Sequence, residues 1–148
     1  MTRLEKLKNL SWLEWRTIMA ASLLLPICGL FLKLLGLKRT QKLLCSDRIR
    51  APVLSSEEAM EQAIQLARAV DLTAMYGLYR ANCLARSLVL YRFLQGSRIN
   101  CYLRIGADLS RDGLFAHAWV EYEGVVLNDR ADVVERFAVL EPDSDRKV

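Results

Sequence analysis

The stretch that decides the fold is FAHAWVEYEGVVLND, Phe115 to Asp129. Its first half has the period of a strand, with His117, Trp119 and Glu121 on one face and Ala118, Val120 and Tyr122 on the other. VVLND reads as the returning strand, joined to the first around Glu123-Gly124. A three-residue loop, Tyr122-Glu123-Gly124, puts the glycine in the left-handed position such loops require. The register then pairs Glu121 with Val125, Trp119 with Leu127 and His117 with Asp129. Directly opposed residues hold their Cβ atoms about 5 Å apart, within reach of an imidazole–carboxylate hydrogen bond. A two-residue loop would instead set Asp129 opposite Ala118, facing away. Loop length therefore carries the reading of His117, the only histidine of 148 residues. Taken alone, a strand histidine is more often structural than catalytic, and Asp129 reads as a strand-ending turn residue.

Working outward, INCYLRIG alternates as a strand, with Ile99, Cys101, Leu103 and Ile105 on one face. DLSRDG is a turn, RFAVL a candidate fourth strand, and the tail EPDSDRKV polar and frayed. Upstream, a helix begins at Asn82-Cys83. Leu84, Leu88 and Tyr91 mark its buried face, and Gly96 closes it. Ser55 and Glu58 form a capping box at the start of another helix. That helix turns Met60, Ala63, Ile64, Ala67 and Val70 inward. DLTAMYGLYRAN after it reads as irregular or weakly helical, with a break at Gly77. Helices precede a small antiparallel sheet, so the fold class is α+β.

The front of the chain differs in character. Residues 1–50 hold ten Lys/Arg against three Asp/Glu, and residues 51–148 hold eleven against fourteen. A basic front and an acidic back suggest two jobs and argue against a nucleic-acid binder. The division is a helical region over 1–50 and a catalytic domain over 51–148, with APVL as the linker. Thr17–Leu32 is apolar without interruption but short for a membrane span, and Pro26 lies inside it. Two helical pieces meeting near Pro26 are expected. Trp12 and Trp15 share a face beside Lys6, Lys8 and Arg16, as in a helix that lies on a membrane surface or docks on a partner. A helix buried in the domain fits the same pattern.

The four cysteines at 28, 45, 83 and 101 form no CxxC pair, which points to reduced thiols in the cytoplasm. One histidine and scattered cysteines do not make a zinc site, and no glycine-rich phosphate loop is present, so no metal or cofactor is expected. Nucleophilic catalysis remains open. It needs a thiol, a base and a group that orients the base. Cys83 opens a helix, where partial positive charge and free N–H groups favour a thiolate and can hold an oxyanion. The other three cysteines read as buried small hydrophobes. Cys83, His117 and Asp129 are thus a candidate triad. Arg86, one turn after Cys83, is a candidate peptide anchor or ion-pair partner. Trp119 lines a peptide groove or fills the core, and Glu121 shares its face as a further candidate substrate contact. The oxyanion donor is Asn82 or the backbone N–H of Cys83.

Cys83-Leu84-Ala85-Arg86-Ser87 followed by Ala116-His117-Ala118-Trp119-Val120-Glu121, and then Asp129, closely resembles the transglutaminase-like peptidases of lasso-peptide biosynthesis. These are the stand-alone B proteins, which lack a fused leader-recognition domain. The specific match covers about residues 80–130; the apolar-basic front resembles theirs more loosely. The resemblance implies a transglutaminase/papain-like core and a Cys83-His117-Asp129 triad that removes the leader of a precursor peptide. It also implies a separate leader-binding protein that delivers the precursor and a macrolactam synthetase that closes the ring. Two other readings use the same residues: acyl transfer to an amine, and a non-catalytic scaffold that docks maturation partners at a membrane surface through residues 1–50.

Overall fold

The computed structural model describes residues 9–45, 50–108 and 115–140. Lys6 and Lys8, most of the DLSRDG turn and the EPDSDRKV tail lie outside the described residues. Three helices come first: α1 (Trp12–Leu44), α2 (Ser56–Tyr76) and α3 (Cys83–Gly96). Then follow β1 (Tyr102–Asp108), β2 (Phe115–Tyr122), β3 (Val125–Val126), the short α4 (Val133–Arg136) and β4 (Ala138–Leu140). The strands form one antiparallel sheet in the order β3-β2-β1-β4. The architecture is α+β, as the hydrophobic pattern requires.

α1 starts with a capping box. Ser11 accepts from the Glu14 N–H, and the Glu14 carboxylate accepts from the Ser11 N–H. The expected break at Pro26 does not occur. The helix runs through the proline and breaks at Gly36 (φ 77°), ten residues later. Pro26 removes one backbone hydrogen bond, but Leu25, Cys28 and Gly29 around it are buried, so packing holds both turns in line. Only glycine adopts the Gly36 conformation without a Cβ clash.

α2 carries the expected capping box, Ser55 with Glu58. It extends through Tyr76 rather than dissolving at Asp71, and ends with Gly77. Its inward stripe is Ala59, Ala63, Leu66, Ala67 and Val70; Ile64, expected inside, is 54% exposed. One core unites the inner face of α1 (Ala21, Leu25, Cys28), these residues, Leu88, Leu90 and Leu94 of α3, and Leu103, Val120 and Tyr122 of the sheet. In α3 the buried positions are Ala85, Ser87, Leu88, Val89, Leu90 and Leu94, while Leu84 and Tyr91 are only partly covered.

The hairpin register differs from the three-residue expectation. Tyr122 pairs with Val125 and Glu121 with Val126, so the loop is Glu123-Gly124 alone. Both loop residues have positive φ, 47° and 78°, as a type I′ turn demands. Glu123 is an unusual residue for that conformation. Ser56 at the start of α2 donates to both of its carboxylate oxygens, at 2.8 and 2.7 Å. That bond ties the turn to the helix layer and offsets part of the backbone cost.

Candidate active site

With a two-residue loop, regular pairing would turn Asp129 away from His117. It does not, because the ladder stops. Leu127 still donates to the Val120 carbonyl at 2.9 Å. Beyond it, the Asn128 side chain replaces the backbone. Its Oδ1 accepts from the Val120 N–H at 2.8 Å, and its Nδ2 donates to Ser87 Oγ at 2.9 Å. Ser87 Oγ in turn donates to the Ala118 carbonyl at 2.9 Å. Asn128 and Ser87 are buried, and each of these groups is paired, as buried polar groups must be. The chain leaves its strand geometry at Asn128, and Asp129 no longer obeys the alternation of faces. Its Oδ2 hydrogen bonds His117 Nε2, the contact the sequence reading expected from a different register.

Asp129 Oδ1 accepts from the Arg130 N–H at 2.7 Å. Burial alone would raise its pKa. The bonds from His117 and Arg130, with the charges of His117 and Arg86, outweigh that and hold the carboxyl below its usual range. An ionised Asp129 fixes the tautomer. Nε2 carries the proton toward the carboxylate, and Nδ1 keeps the lone pair that can take a proton from a thiol.

The His117 ring is also set by stacking. Phe137 lies 4.9 Å away, centroid to centroid, and nearly parallel; Trp119 lies at 6.3 Å. Gly106 is the residue paired with His117 across the ladder. A Cβ there would come within 2.7 Å of Phe137 Cβ and 2.9 Å of the Trp119 ring, so the packing of both aromatics requires glycine.

Cys83 is the first residue of α3 and half-buried. Asn82 is the N-cap: its Oδ1 accepts from the Ala85 N–H at 2.8 Å, and its carbonyl accepts from the Arg86 N–H. The cap thus uses Asn82 Oδ1. The N–H groups of Cys83 and Leu84, the first two of the helix, have no intrahelical partner. They are the donors suited to an oxyanion. Ser87 lies one turn after Cys83 on the same helical face and touches β2 beside His117. Arg86 donates to the Asn128 carbonyl at 3.2 Å and pairs with Asp71 at 3.5 Å. The first turns of α3 therefore rest against the segment that carries His117 and Asp129. Among the described residues no hydrogen bond joins the Cys83 thiol to His117; such contacts often close only when substrate binds. The thiols of Cys28 and Cys101 are pushed up by burial, to about 11 and about 12, which keeps both protonated at neutral pH.

Arg86, Trp119 and Glu121 all have partners within the fold. Arg86 is an ion-pair residue that braces Asn128. Trp119 has 0% exposure and no surface for a peptide to touch; it packs with Phe137 and His117. Glu121 accepts from Trp119 Nε1 at 2.7 Å and from Arg104 Nε at 3.3 Å, so both of its oxygens are engaged. Asn128, Gly106 and Phe137 were not singled out from the sequence. The one available signal was the dipeptide Asn128-Asp129, since Asn side chains readily replace backbone partners at strand ends.

A thiol at a helix N-terminus, an imidazole held by an ionised carboxylate and the first N–H donors of that helix form a set suited to acyl transfer through a thioester. No match was found among the curated proteins or among the solved structures. The family model for the transglutaminase-like superfamily matches residues 29–141, from the middle of α1 through β4, and the chain belongs to that superfamily.

Proposed function

We propose that this protein is a cysteine peptidase that removes the leader from a lasso-peptide precursor. The observation that carries the reading is the His117–Asp129 pair, formed beside a helix headed by Cys83 and set in the Ala-His-Ala-Trp-Val-Glu strand of that peptidase group. His117 Nδ1 takes the Cys83 proton, and the sulfur attacks the carbonyl of the last leader residue. The tetrahedral oxyanion is held by the first N–H groups of α3. As the C–N bond breaks, the imidazolium returns its proton to the leaving amine. Water then adds to the thioester with His117 as base, releasing the leader and restoring the thiol. The freed amine is what a macrolactam synthetase needs to close a ring, and a separate leader-binding protein presents the precursor.

The test is mass spectrometry of a precursor peptide incubated with this protein and its leader-binding partner. Cys83→Ala should abolish leader release, and Cys101→Ala should retain it; equal activity of the two variants would overturn the assignment. The same assay with an added primary amine separates hydrolysis from amine transfer. A leader carrying the amine at its new carboxyl end would assign the protein to the acyltransferase side of the superfamily.

A further inference from the structure

Among the described residues, the outer face of α1 has no partner. Trp12, Trp15, Met19, Leu23, Leu30 and Leu34 are 78, 45, 68, 69, 53 and 70% exposed. Their spacings of three, four, four, seven and four place them on one helical stripe. At 1.5 Å per residue it is about 33 Å long. The opposite face, with Ala21, Leu25 and Cys28, is buried in the common core. The exposed charges of α1 are all cationic: Arg16, Lys33, Lys38, Arg39 and Lys42. Its single acid, Glu14, is buried against Arg68 at 3.6 Å.

We infer that α1 lies in the plane of an anionic lipid bilayer, with this stripe in the acyl boundary and its cations among the headgroups. Length and apolar composition alone would let Trp12–Leu44 cross a membrane. Packing decides against it: a spanning helix would pull Ala21, Leu25 and Cys28 out of the core, while a helix in the plane uses both faces at once. Charge decides against a second copy. An antiparallel pair of stripes would set Arg16 of one near Lys33 of the other, and a parallel pair would set each cation near its twin; an anionic surface complements all five. The placement also brings the candidate site to the membrane. Cys28 Sγ lies 3.9 Å from the Ala85 carbonyl in the first turn of α3. A bilayer-held α1 therefore keeps Cys83 within about one helix diameter of the headgroups. The inference is independent of the proposed reaction.

The experiment is flotation of the full chain with vesicles of phosphatidylcholine, alone or with about one quarter phosphatidylglycerol. The protein should float with the anionic vesicles and be released by high salt. The triple variant Met19→Gln, Leu23→Gln, Leu30→Gln changes only exposed positions and should keep the wild-type Tm. Its partitioning should fall by at least about tenfold. Equal flotation of wild type and variant, or no flotation of wild type, overturns the inference. So does a lipid-free dimer in sedimentation velocity that the triple variant dissociates, which would assign the stripe to a second copy. Depth is read with Leu23→Trp in a chain where Trp12 and Trp15 are Phe; Trp119 is buried and remains as constant background. Quenching by lipids brominated near the headgroup supports a helix in the plane. Quenching only by lipids brominated near the bilayer centre means that α1 spans, and overturns the inference.

Discussion

Asp129 and Asp71 show how two carboxylates near one arginine are driven apart. Asp129 is held low by the hydrogen bonds that orient it, whereas Asp71 is pushed up to about 6, because burial outweighs its attraction to Arg86 and the Asp129 charge adds repulsion. Their linkage signs are opposite. Asp129 has a folded pKa below its unfolded value, so its contribution to stability is present above about pH 4 and lost as acid titrates the folded state. Asp71 has a folded pKa above its unfolded value, so its contribution is present in acid and declines as pH rises from about 4 to about 6. The Tm difference between wild type and Asp71→Asn should therefore shift against wild type across that window and be constant above about pH 7. A flat difference would mean that Asp71 is not desolvated as described. For the proposed reaction, Asp129→Asn keeps the shape but removes the charge that fixes the histidine tautomer. It should lower kcat by about 10³–10⁴-fold, with KM changed far less, read in a leader-release assay. That Cys83 opens a helix and that Asp129 meets His117 was legible in the sequence, because helix starts and hairpins leave local signals. The environments of Asp71 and Asp129 were not, because burial and the approach of Arg86 are long-range.

The hairpin is where local rules and the outcome part. A glycine at 124 fits either a three-residue loop or a type I′ pair, and positive φ at Glu123 selects the second. What then brings Asp129 to His117 is a side chain: Asn128 ends the ladder by substituting its amide for the backbone. The alternation of β2 was readable as a period of two; the departure after Leu127 depends on Ser87, forty-one residues away. Replacing Asn128 with Leu would leave the buried Val120 N–H unsatisfied and remove the bond that Ser87 Oγ accepts, while Ser87 keeps its bond to the Ala118 carbonyl, and should cost about 2–4 kcal/mol. Leader release should fall further than the lost folded fraction explains, because Asp129 is then free to follow the strand. Ser87→Ala, which leaves the Asn128–Val120 bond in place, should cost about 1–2 kcal/mol and retain most activity. Tm and kcat measured together on both variants check this; equal kcat in Asn128→Leu and wild type at matched folded fraction would show that Asn128 does not position Asp129. Gly106→Ala addresses the other side of the same histidine. The added methyl meets Phe137 and Trp119 and should cost about 1–3 kcal/mol by overpacking.

At the scale of the whole molecule, α1 is read correctly only when both of its faces are considered. Its sequence over 17–32 is apolar all round, so periodicity could not tell a docking helix from a buried one, and the structure buries one face while leaving the other exposed. The inner face joins α2 and α3 in one core, and the family match enters the helix at residue 29. The helix order, the antiparallel sheet and the α+β class were legible because strand and helix periods survive without tertiary context. The break at Gly36 instead of Pro26 was not, since it depends on which turns are clamped by neighbours. This two-sided use makes a sharp claim about two leucines separated by a single residue. Leu25 is 1% exposed and Leu23 is 69% exposed. If α1 is part of the cooperative unit, Leu25→Ala should open a core cavity and lower the Tm of a single unfolding transition by roughly 5–15 °C. Leu23→Ala should move it by less than about 2 °C, as surface changes do. A helix that merely adheres to an independently stable domain would give the opposite signature. Leu25→Ala would then leave the main transition in place, and α1 would melt or be proteolysed separately, at a lower temperature than the α2–β4 core.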